Sequence, residues 1–505
     1  MAEINKILIA NRGEIAVRIA RACRDVGITS VAVYSDPDRT AFHVRCADEA
    51  YPLGGTTSAE TYLVQEKIIA AAKESGAEAI HPGYGFLAEN HEFARLCAAN
   101  DIIFIGPTPE VIRLLGDKLE ARQTAIKAGL PLAPASTQNV EDIKGAKAEA
   151  EKIGYPVLIK AAAGGGGKGM RIVEKSEDLE AALRMAASEA SSAFGDKRVY
   201  IEKYIARPRH IEIQIMADSH GNVVYLGERE CSIQRRHQKV IEESPSAVVD
   251  EGLRKRMGEA AVAIAKETGY IGAGTVEFLV DEKLDFYFLE VNTRLQVEHP
   301  VTEMITGIDL VLEQFAVARG EKLSFAQKDI SCHGHAIECR IYAEEAAAGF
   351  IPSTGRLAAY REPAGPGVRV DSGFVAGDEI PVYYDPLIAK LVTWGADRHQ
   401  AIARMHRALT EYTVAGVDTT IPFGLLVMEN KSFGEGRLST HFIEDEFADL
   451  ADSLREPDDK QQLSAMAAAL IDFHNQARLS KLGERKGSAV NKWKMSGRMA
   501  GLRKA

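Results

Sequence analysis

The chain has 505 residues, 46% hydrophobic and 26% charged, with a formal net charge of −11. That length exceeds one ordinary core and predicts two to four domains of globular composition. The acidic balance argues against nucleic-acid binding, no apolar run reaches the ~18 residues of a membrane span, and six scattered cysteines without a CxxC pair argue against a disulfide framework. No secretory leader precedes the first strand pattern, so a cytoplasmic protein is expected.

"KILIANRGEIAVRIARACRDVGITSVAVY" reads as strand, glycine turn, amphipathic helix and strand, with Ile15, Ile19, Ala22 and Val26 at helical spacing. "GAEAIHPGYGFLAEN" and "DIIFIGP" continue the alternation, so residues 1–116 are expected to form an open parallel sheet covered by helices on both faces. Only Gly13 stands at the first turn, so a dinucleotide GxGxxG is absent. Residues 117–135 are expected to be a linker helix ending at the prolines of "AGLPLAPAS". Residues 136–203 read as a small α+β unit: a strand, a glycine loop, a second strand, a helix from Ser176 to Ala193, and the strand "RVYIEKYI". From 204 to 446 strand patterns dominate, with helices near 251–268, 309–319 and 398–413. The remainder, 447–505, reads as a helical extension with a solvated basic end.

Three stretches carry candidate chemistry. Gly164 to Gly167, with Lys168 and Gly169, lie between strands containing Lys160 and Arg171. Four glycines in a row are entropically costly, which suits a phosphate-covering hairpin or an ordinary surface loop. The run is not a P-loop, because no Ser or Thr follows Lys168. "GTVEFLV" and "FYFLEVN" flank "DEKLD" as a β-hairpin. Pairing Val280 with Tyr287 would set Glu277 opposite Glu290, with Cβ atoms about 4.5–5.5 Å apart. Such like charges call for a cation. With Asn292 next on that face, the three are hard oxygen donors suited to Mg²⁺ and a nucleotide phosphate. The alternation continues through Arg294, Gln296 and Glu298, read as strand. Arg294 offers a fork for a small oxyanion, and Glu298 could act as a base or as its structural ion partner. "QRRHQK", Gln234 to Lys239, is either an anion-binding wall or a surface strand balanced by Glu242 and Glu243. His210 fits a ligand contact or a satisfied core histidine.

Taken in order, "KILIANRGEIAVRIAR", "HPGYGFLAEN", "AGGGGKGMR", "EKYI", "RHIEIQI", "ERECSIQRRHQKVIEE" and "FLEVNTRLQVEHPVTE" resemble the biotin carboxylase family of ATP-grasp enzymes, over about residues 1–446. The resemblance implies a multidomain α/β and α+β protein: a Rossmann-like N-terminal (preATP-grasp) domain, an ATP-grasp lid and core, and a β-rich C-terminal domain. It implies ATP-dependent activation of bicarbonate to carboxyphosphate, then carboxylation of biotin. Lys118, Lys160, Gly166, Gly167, His210, Gln234 and His237 match nucleotide and phosphate contacts. Glu202, Lys203 and Ile205 match the segment that holds adenine. Glu277, Glu290 and Asn292 match the metal positions, for Mg²⁺ or Mn²⁺. Lys239, Arg294, Gln296 and Val297 match the bicarbonate pocket, Glu298 the base that deprotonates bicarbonate, and Arg340 the cation that stabilises the biotin enolate. The implied partners are a second copy of this chain, a biotin carboxyl carrier protein and a carboxyltransferase subunit. Lys494 before Met495 only echoes a biotin-attachment signal, so biotin is expected as a substrate borne by a separate carrier. The expected setting is a carboxylase built of several subunits, with acetyl-CoA, another acyl-CoA or pyruvate as the final acceptor. Another ATP-grasp ligase would lack reason for the Lys239, Arg294, Glu298 and Arg340 set, and a regulatory protein would have no need of Glu298 or the metal acids.

Overall fold

The computed structural model describes residues 3–136, 143–161, 170–454 and a few positions from 463 to 471. The glycine loop, with Gly166 and Gly167, and the basic end of the chain lie outside the described residues.

β1 (Lys6–Ile9), β2 (Thr29–Tyr34), β3 (Glu49–Pro52), β4 (Ala79–His81) and β5 (Ile103–Phe104) form a parallel sheet in the order β3-β2-β1-β4-β5. Short, nearly continuous apolar strands such as KILI suit a sheet buried on both faces. Helix α1 (Gly13–Asp25) buries Ile15, Ile19 and Ala22, as their spacing predicts. Val26 falls just past its last turn and is exposed. The loops after β1 and β4 meet at the switch point of the sheet, where Asn11 Nδ2 donates to the Pro82 and Tyr84 carbonyls at 2.7 Å each. Gly83 has φ +63° there, and a Cβ would stand 3.0 Å from Asn11 Nδ2. Glycine is therefore the residue that lets these two loops close on each other.

The expected linker helix is shorter than its pattern: it spans Lys118–Lys127. Gly129 has φ +78°, and residues 130–135 run extended. Pro131 O accepts from Phe288 N–H at 2.8 Å and Pro134 O from Lys203 N–H at 2.7 Å. The prolines cannot donate to a helix, but their carbonyls bridge two sheets. Ala121 and Ala125 pack with Ile211, Val276 and Phe288, so the helix belongs to a core.

β6 (Val157–Ala161), β7 (Arg171–Val173) and β8 (Val199–Lys203) form a three-stranded antiparallel sheet, ordered β7-β6-β8. Helices Ile143–Ile153 and Leu179–Phe194 cover it through Ala146, Ala150, Leu183 and Ala186. Next come β9 (Arg209–Ala217), β10 (Val223–Arg235), β11 (Gln238–Ser244), β12 (Gly272–Val280), β13 (Phe286–Asn292) and β14 (His335–Tyr342). With the strands Leu387–Gly395 and Val368–Ser372 they make one antiparallel sheet, ordered β13-β12-β9-β10-β11-β14, then 387–395, then 368–372. Helices Glu251–Thr268 and Leu310–Ala318 lie near their expected bounds, as does Arg398–Glu411.

Two local readings change. The β12–β13 hairpin closes one residue out from the expected register, with Val280 opposite Phe286. An irregularity between Glu277 and Phe278 takes up the difference, because Phe278 faces Phe288 while Glu277 faces Glu290. A bulge inserts Leu289 and restores the predicted acid pair. The polar alternation past Asn292 is not strand: β13 ends there, a turn follows, and the helix His299–Thr306 begins with Glu298 as its N-cap. Pro300, in the first turn of that helix, is the local signal for its start. The chain divides into units 1–450 and 451–505; the described residues of the second include helical positions at 451–453 and between 463 and 471.

Candidate active site

A cleft of about 670 Å³ runs between the three-stranded sheet and the large sheet. Lys118, Lys160, Glu202, Lys203, Ile205, His210, Gln234 and His237 all line it, as do Lys239, Glu277, Glu290, Asn292, Arg294, Gln296, Val297 and Arg340. A second cavity of about 330 Å³ adjoins it and shares Gln238, Arg294, Val297 and Arg340; its other walls include Arg12, Tyr84 and Tyr384. The predicted residues therefore converge on one place, apart from the two glycines outside the described residues and Glu298, which is wholly buried behind Lys239 and Arg340 and lines neither cavity.

At one end of the cleft, β6 and β8 pair Lys160 with Tyr200 and Leu158 with Glu202. The Lys160 ammonium bonds the Glu202 carboxylate, which also takes Arg122 at 3.0 Å. Burial opposes the Lys160 charge, but Glu202 outweighs it and holds the pKa above the ordinary lysine value. The Lys203 ammonium is turned onto the Gly154 and Tyr155 carbonyls, at 2.9 and 3.2 Å. The turn between β10 and β11 puts both Arg236 and His237 at positive φ, +48° and +67°. Arg235 pairs with Gln238, so this is the type I′ geometry of a two-residue hairpin, costly in non-glycine residues.

In the middle stand the paired acids. Glu277 meets His210 Nε2 at 2.9 Å, Lys239 Nζ at 2.9 Å and Asn292 Nδ2 at 2.8 Å. Burial would raise its pKa, but Lys239 and His210 hold it far below the usual carboxylate range. Gln234 Nε2 donates to His210 Nδ1 at 2.8 Å and fixes that ring. Glu290 is part-exposed to the cleft, with Lys118 Nζ 3.6 Å away. Glu277, Glu290 and the Asn292 amide are hard oxygen donors of the kind Mg²⁺ or Mn²⁺ takes; Glu290 opens to the cleft, whereas both Glu277 oxygens are already bonded, Oε1 to Lys239 and Asn292 and Oε2 to His210. Two other donor groups lie close together, His210–Glu212–Glu277 and Glu212–Cys231–Glu298. Their common member, Glu212, already bonds Arg229 and Lys239 through its two oxygens. Burial also pushes the Cys231 thiol well up, away from the thiolate a metal needs.

At the far end Glu298 is wholly buried between cations. Lys239 Nζ lies 2.7 Å from one carboxylate oxygen and Arg340 3.0 Å from the other. Burial alone would raise its pKa; Lys239, Arg340 and Arg229 outweigh this and hold it well below normal. Arg294 is not the ion partner of Glu298. It pairs with Glu89, from the loop after β4, at 2.9 Å and reaches Gln296 Oε1 at 3.0 Å. Nor do Glu242 and Glu243 balance "QRRHQK". Glu242 faces Arg340, Glu243 binds His335 and Arg398, and Arg235 pairs with Glu344 at 2.7 Å.

Three supporting residues escaped the sequence reading, Glu89, Glu212 and Arg229, and Glu242 was read only as a counter-charge to "QRRHQK". Arg229 is fully buried and bonds Glu212, Gln214, Thr275 and Thr302. A signal for Glu212 existed, since "RHIEIQI" alternates His210, Glu212 and Gln214 with Ile211, Ile213 and Ile215. Glu89 carries no such local pattern.

Three family models match in order: "Biotin carboxylase, N-terminal domain" over residues 3–112, "Carbamoyl-phosphate synthase L chain, ATP binding domain" over 117–326, and "Biotin carboxylase C-terminal domain" over 338–445. The chain is 54% identical to biotin carboxylase of Nostoc sp., covering 88% of this chain and 99% of that one. It is 53% identical to biotin carboxylase 1 of Bacillus subtilis, covering 87% and 98%. Among solved structures, a biotin carboxylase–ATP complex from Campylobacter jejuni superposes with TM-score 0.86 at 50% identity, covering 88% of this chain and 99% of that one. The biotin carboxylase domain dimer of Hydrogenobacter thermophilus 2-oxoglutarate carboxylase, with MgADP and bicarbonate, gives TM-score 0.86 at 49% identity, covering 88% and 98%. The ATP-binding model alone would leave a carbamoyl-phosphate type of ligase open, but the segments on either side of it decide the matter: this chain belongs to the biotin carboxylase family of ATP-dependent ligases.

Proposed function

We propose that the chain carboxylates biotin borne by a separate carrier protein, using bicarbonate activated by ATP as carboxyphosphate. The observation that carries the assignment of roles is Glu298, held between Lys239 and Arg340 where the two cavities join. Bicarbonate is gripped by Lys239, Arg294, Gln296 and Val297. Glu298 takes its proton, and a bicarbonate oxygen attacks the γ-phosphorus while ADP leaves. The cations that depress the Glu298 pKa also stabilise the dianion formed. A second anion beside Glu298 raises its proton affinity from that depressed resting value, so the base is tuned by its substrate. Glu277, Glu290 and Asn292 would hold Mg²⁺ or Mn²⁺, which when bound neutralises charge on the transferring phosphoryl group. Lys118, Lys160 and His237 face the phosphates, and the 136–203 unit is the lid over them; Gly166 and Gly167 lie outside the described residues, and only the family resemblance assigns them to the phosphates. Glu202, Lys203 and Ile205 face adenine.

The acceptor enters through the second cavity. N1′ of biotin attacks the carboxyl carbon and displaces phosphate, which takes the N1′ proton as it leaves; Arg340 stabilises the negative charge on the ureido oxygen. The partners are a second copy of the chain, a biotinyl carrier, and the carboxyltransferase of an acyl-CoA or pyruvate carboxylase. No described helix is long and apolar enough to cross a membrane. The test is ADP release by the purified protein with Mg-ATP, with and without bicarbonate and free biotin. Turnover that requires bicarbonate and rises with biotin is expected. Folded, ATP-binding protein without it would end this reading.

A further inference from the structure

The turn from Gln296 to Glu298 has no ladder; one main-chain bond closes it, His299 N–H to Gln296 O at 3.3 Å, and both of its inner carbonyls are also taken by buried side chains. His299 Nδ1 lies 2.8 Å from Gln296 O, and Lys390 Nζ donates to Val297 O at 2.9 Å. Both side chains are wholly buried, and neither lines either cavity. They act, if at all, through the turn.

Lys390 comes from the strand Leu387–Gly395 and reaches three segments at once. Its ammonium lies 3.3 Å from Glu14 in α1 and 3.9 Å from Asp371 in the strand Val368–Ser372, besides the Val297 carbonyl. A buried ammonium is tolerated only where it is paired and bonded; here one of its bonds goes to an irregular backbone. A carbonyl can only accept, so the His299 proton sits on Nδ1. Burial, then Lys390, Arg18 and Arg369, keep the ring neutral, and Glu303 lies 4.0 Å from Nε2.

A trans peptide is planar, with N–H opposed to C=O. Holding Gln296 O against the buried ring therefore turns the Val297 N–H the other way, toward the side on which Val297 borders both cavities. Among the described residues, neither the Val297 nor the Glu298 N–H donates to a protein acceptor. Val297 is half-buried at the cavity wall, and an amide left open there is an anion donor in waiting. On the bicarbonate reading above, we propose that His299 and Lys390 are positioning residues that lock the two peptides of this turn. The lock presents the Val297 N–H to the bicarbonate oxyanion and fixes the Glu298 backbone beside it.

The experiment uses the full chain and measures biotin-stimulated ADP release, varying bicarbonate and ATP separately. The variants are His299→Leu, His299→Asn, Lys390→Met and the Lys390→Met/Glu14→Gln double, which removes both members of the buried pair. His299→Leu and Lys390→Met should raise the bicarbonate KM by about tenfold, below the ~10²–10³ for loss of a direct oxyanion donor, while the ATP KM stays within about twofold. His299→Asn, whose amide can replace the Nδ1 donor, should recover most of the loss. If bicarbonate and ATP constants shift together, if His299→Leu leaves the bicarbonate KM unchanged, or if Asn does no better than Leu, the inference is overturned. Should the lysine variants fail to fold, the histidine pair still decides. A wild type without bicarbonate-dependent turnover would overturn the biotin carboxylation reading as well, whereas the three variant outcomes overturn this inference alone.

Discussion

Replacing Glu298 with Gln removes one negative charge and almost no volume. The carboxylate sits 2.7 Å from Lys239 and 3.0 Å from Arg340; at an effective dielectric of 20, a pair of unit charges at about 3 Å interacts by about 5 kcal/mol. The fold should survive this loss, because each cation keeps another acid: Lys239 retains Glu212 and Glu277, and Arg340 retains Glu242. What disappears is the proton acceptor. Loss of a positioned base costs about 10²–10⁴ in rate, or about 3–5 kcal/mol on the barrier. Turnover is read as ADP release with saturating bicarbonate and biotin, and ATP affinity by equilibrium binding. Affinity should stay near wild type, since Glu298 does not line the nucleotide cleft. The sign of the pH effect follows from the depressed pKa of Glu298. Its charge stabilises the fold above the ordinary carboxylate value of about 4.3, and that contribution fades as pH falls through the folded pKa. Wild type and E298Q should thus converge in stability on acidification. Turnover within about tenfold of wild type, or ATP affinity falling in step with turnover, would refute the reasoning.

Arg229→Met should destabilise the protein by about 3–5 kcal/mol, because Glu212 loses one of its two buried cations; a denaturation shift worth under about 1 kcal/mol would sink this. Glu338 is wholly buried, both carboxylate oxygens lack hydrogen-bond partners, and burial, opposed by Lys390, lifts its pKa well above normal. The folded state keeps a proton that the unfolded chain releases near pH 4.3, so wild-type stability falls with rising pH by up to about 1.4 kcal/mol per unit. Glu338→Gln has no proton to lose, and its stability relative to wild type should improve as pH rises above the ordinary carboxylate value of about 4.3 toward the raised folded pKa; a difference independent of pH would contradict the account. Glu290→Gln should raise the Mg²⁺ needed for half-maximal turnover about tenfold or more, the scale on which even outer-shell partners act. Its melting temperature should barely move, since Glu290 is part-exposed and its nearest cation is 3.6 Å away; an unchanged Mg²⁺ requirement would remove Glu290 from the metal set.

Period-two alternation exposed the acid pair at Glu277 and Glu290 even though the hairpin closes one residue away from the expected register. A bulge cannot be read from alternation, because it adds a residue without altering composition. Alternation also overreached: Arg294 to Glu298 keep the pattern of a strand in a stretch that is a turn and a helix start. The environment of Glu298 was illegible for a different reason. Its cations lie 59 and 42 residues away along the chain, and the Arg294–Glu89 pair spans 205. The first two distances close when β11, β13 and β14 join one sheet, and the third where the loop after β4 of the parallel sheet meets the turn after β13. Resemblance to a family supplied the long-range grouping that spacing could not.

The ladder of the large sheet crosses from the ATP-binding segment into the C-terminal one where β11 pairs with β14, Ile241 opposite Cys339 and Glu242 opposite Glu338. Lys239 rides on the first of these strands and Arg340 on the second, so on the proposed roles the offset between the anion grip and the acceptor's cation is set by main-chain hydrogen bonds between strands about 4.8 Å apart. A carboxyl group handed from one chemical step to the next then crosses a gap of fixed width. On that reading, closure of the 136–203 unit over the nucleotide would change when the reaction starts, but not the spacing between these two strands.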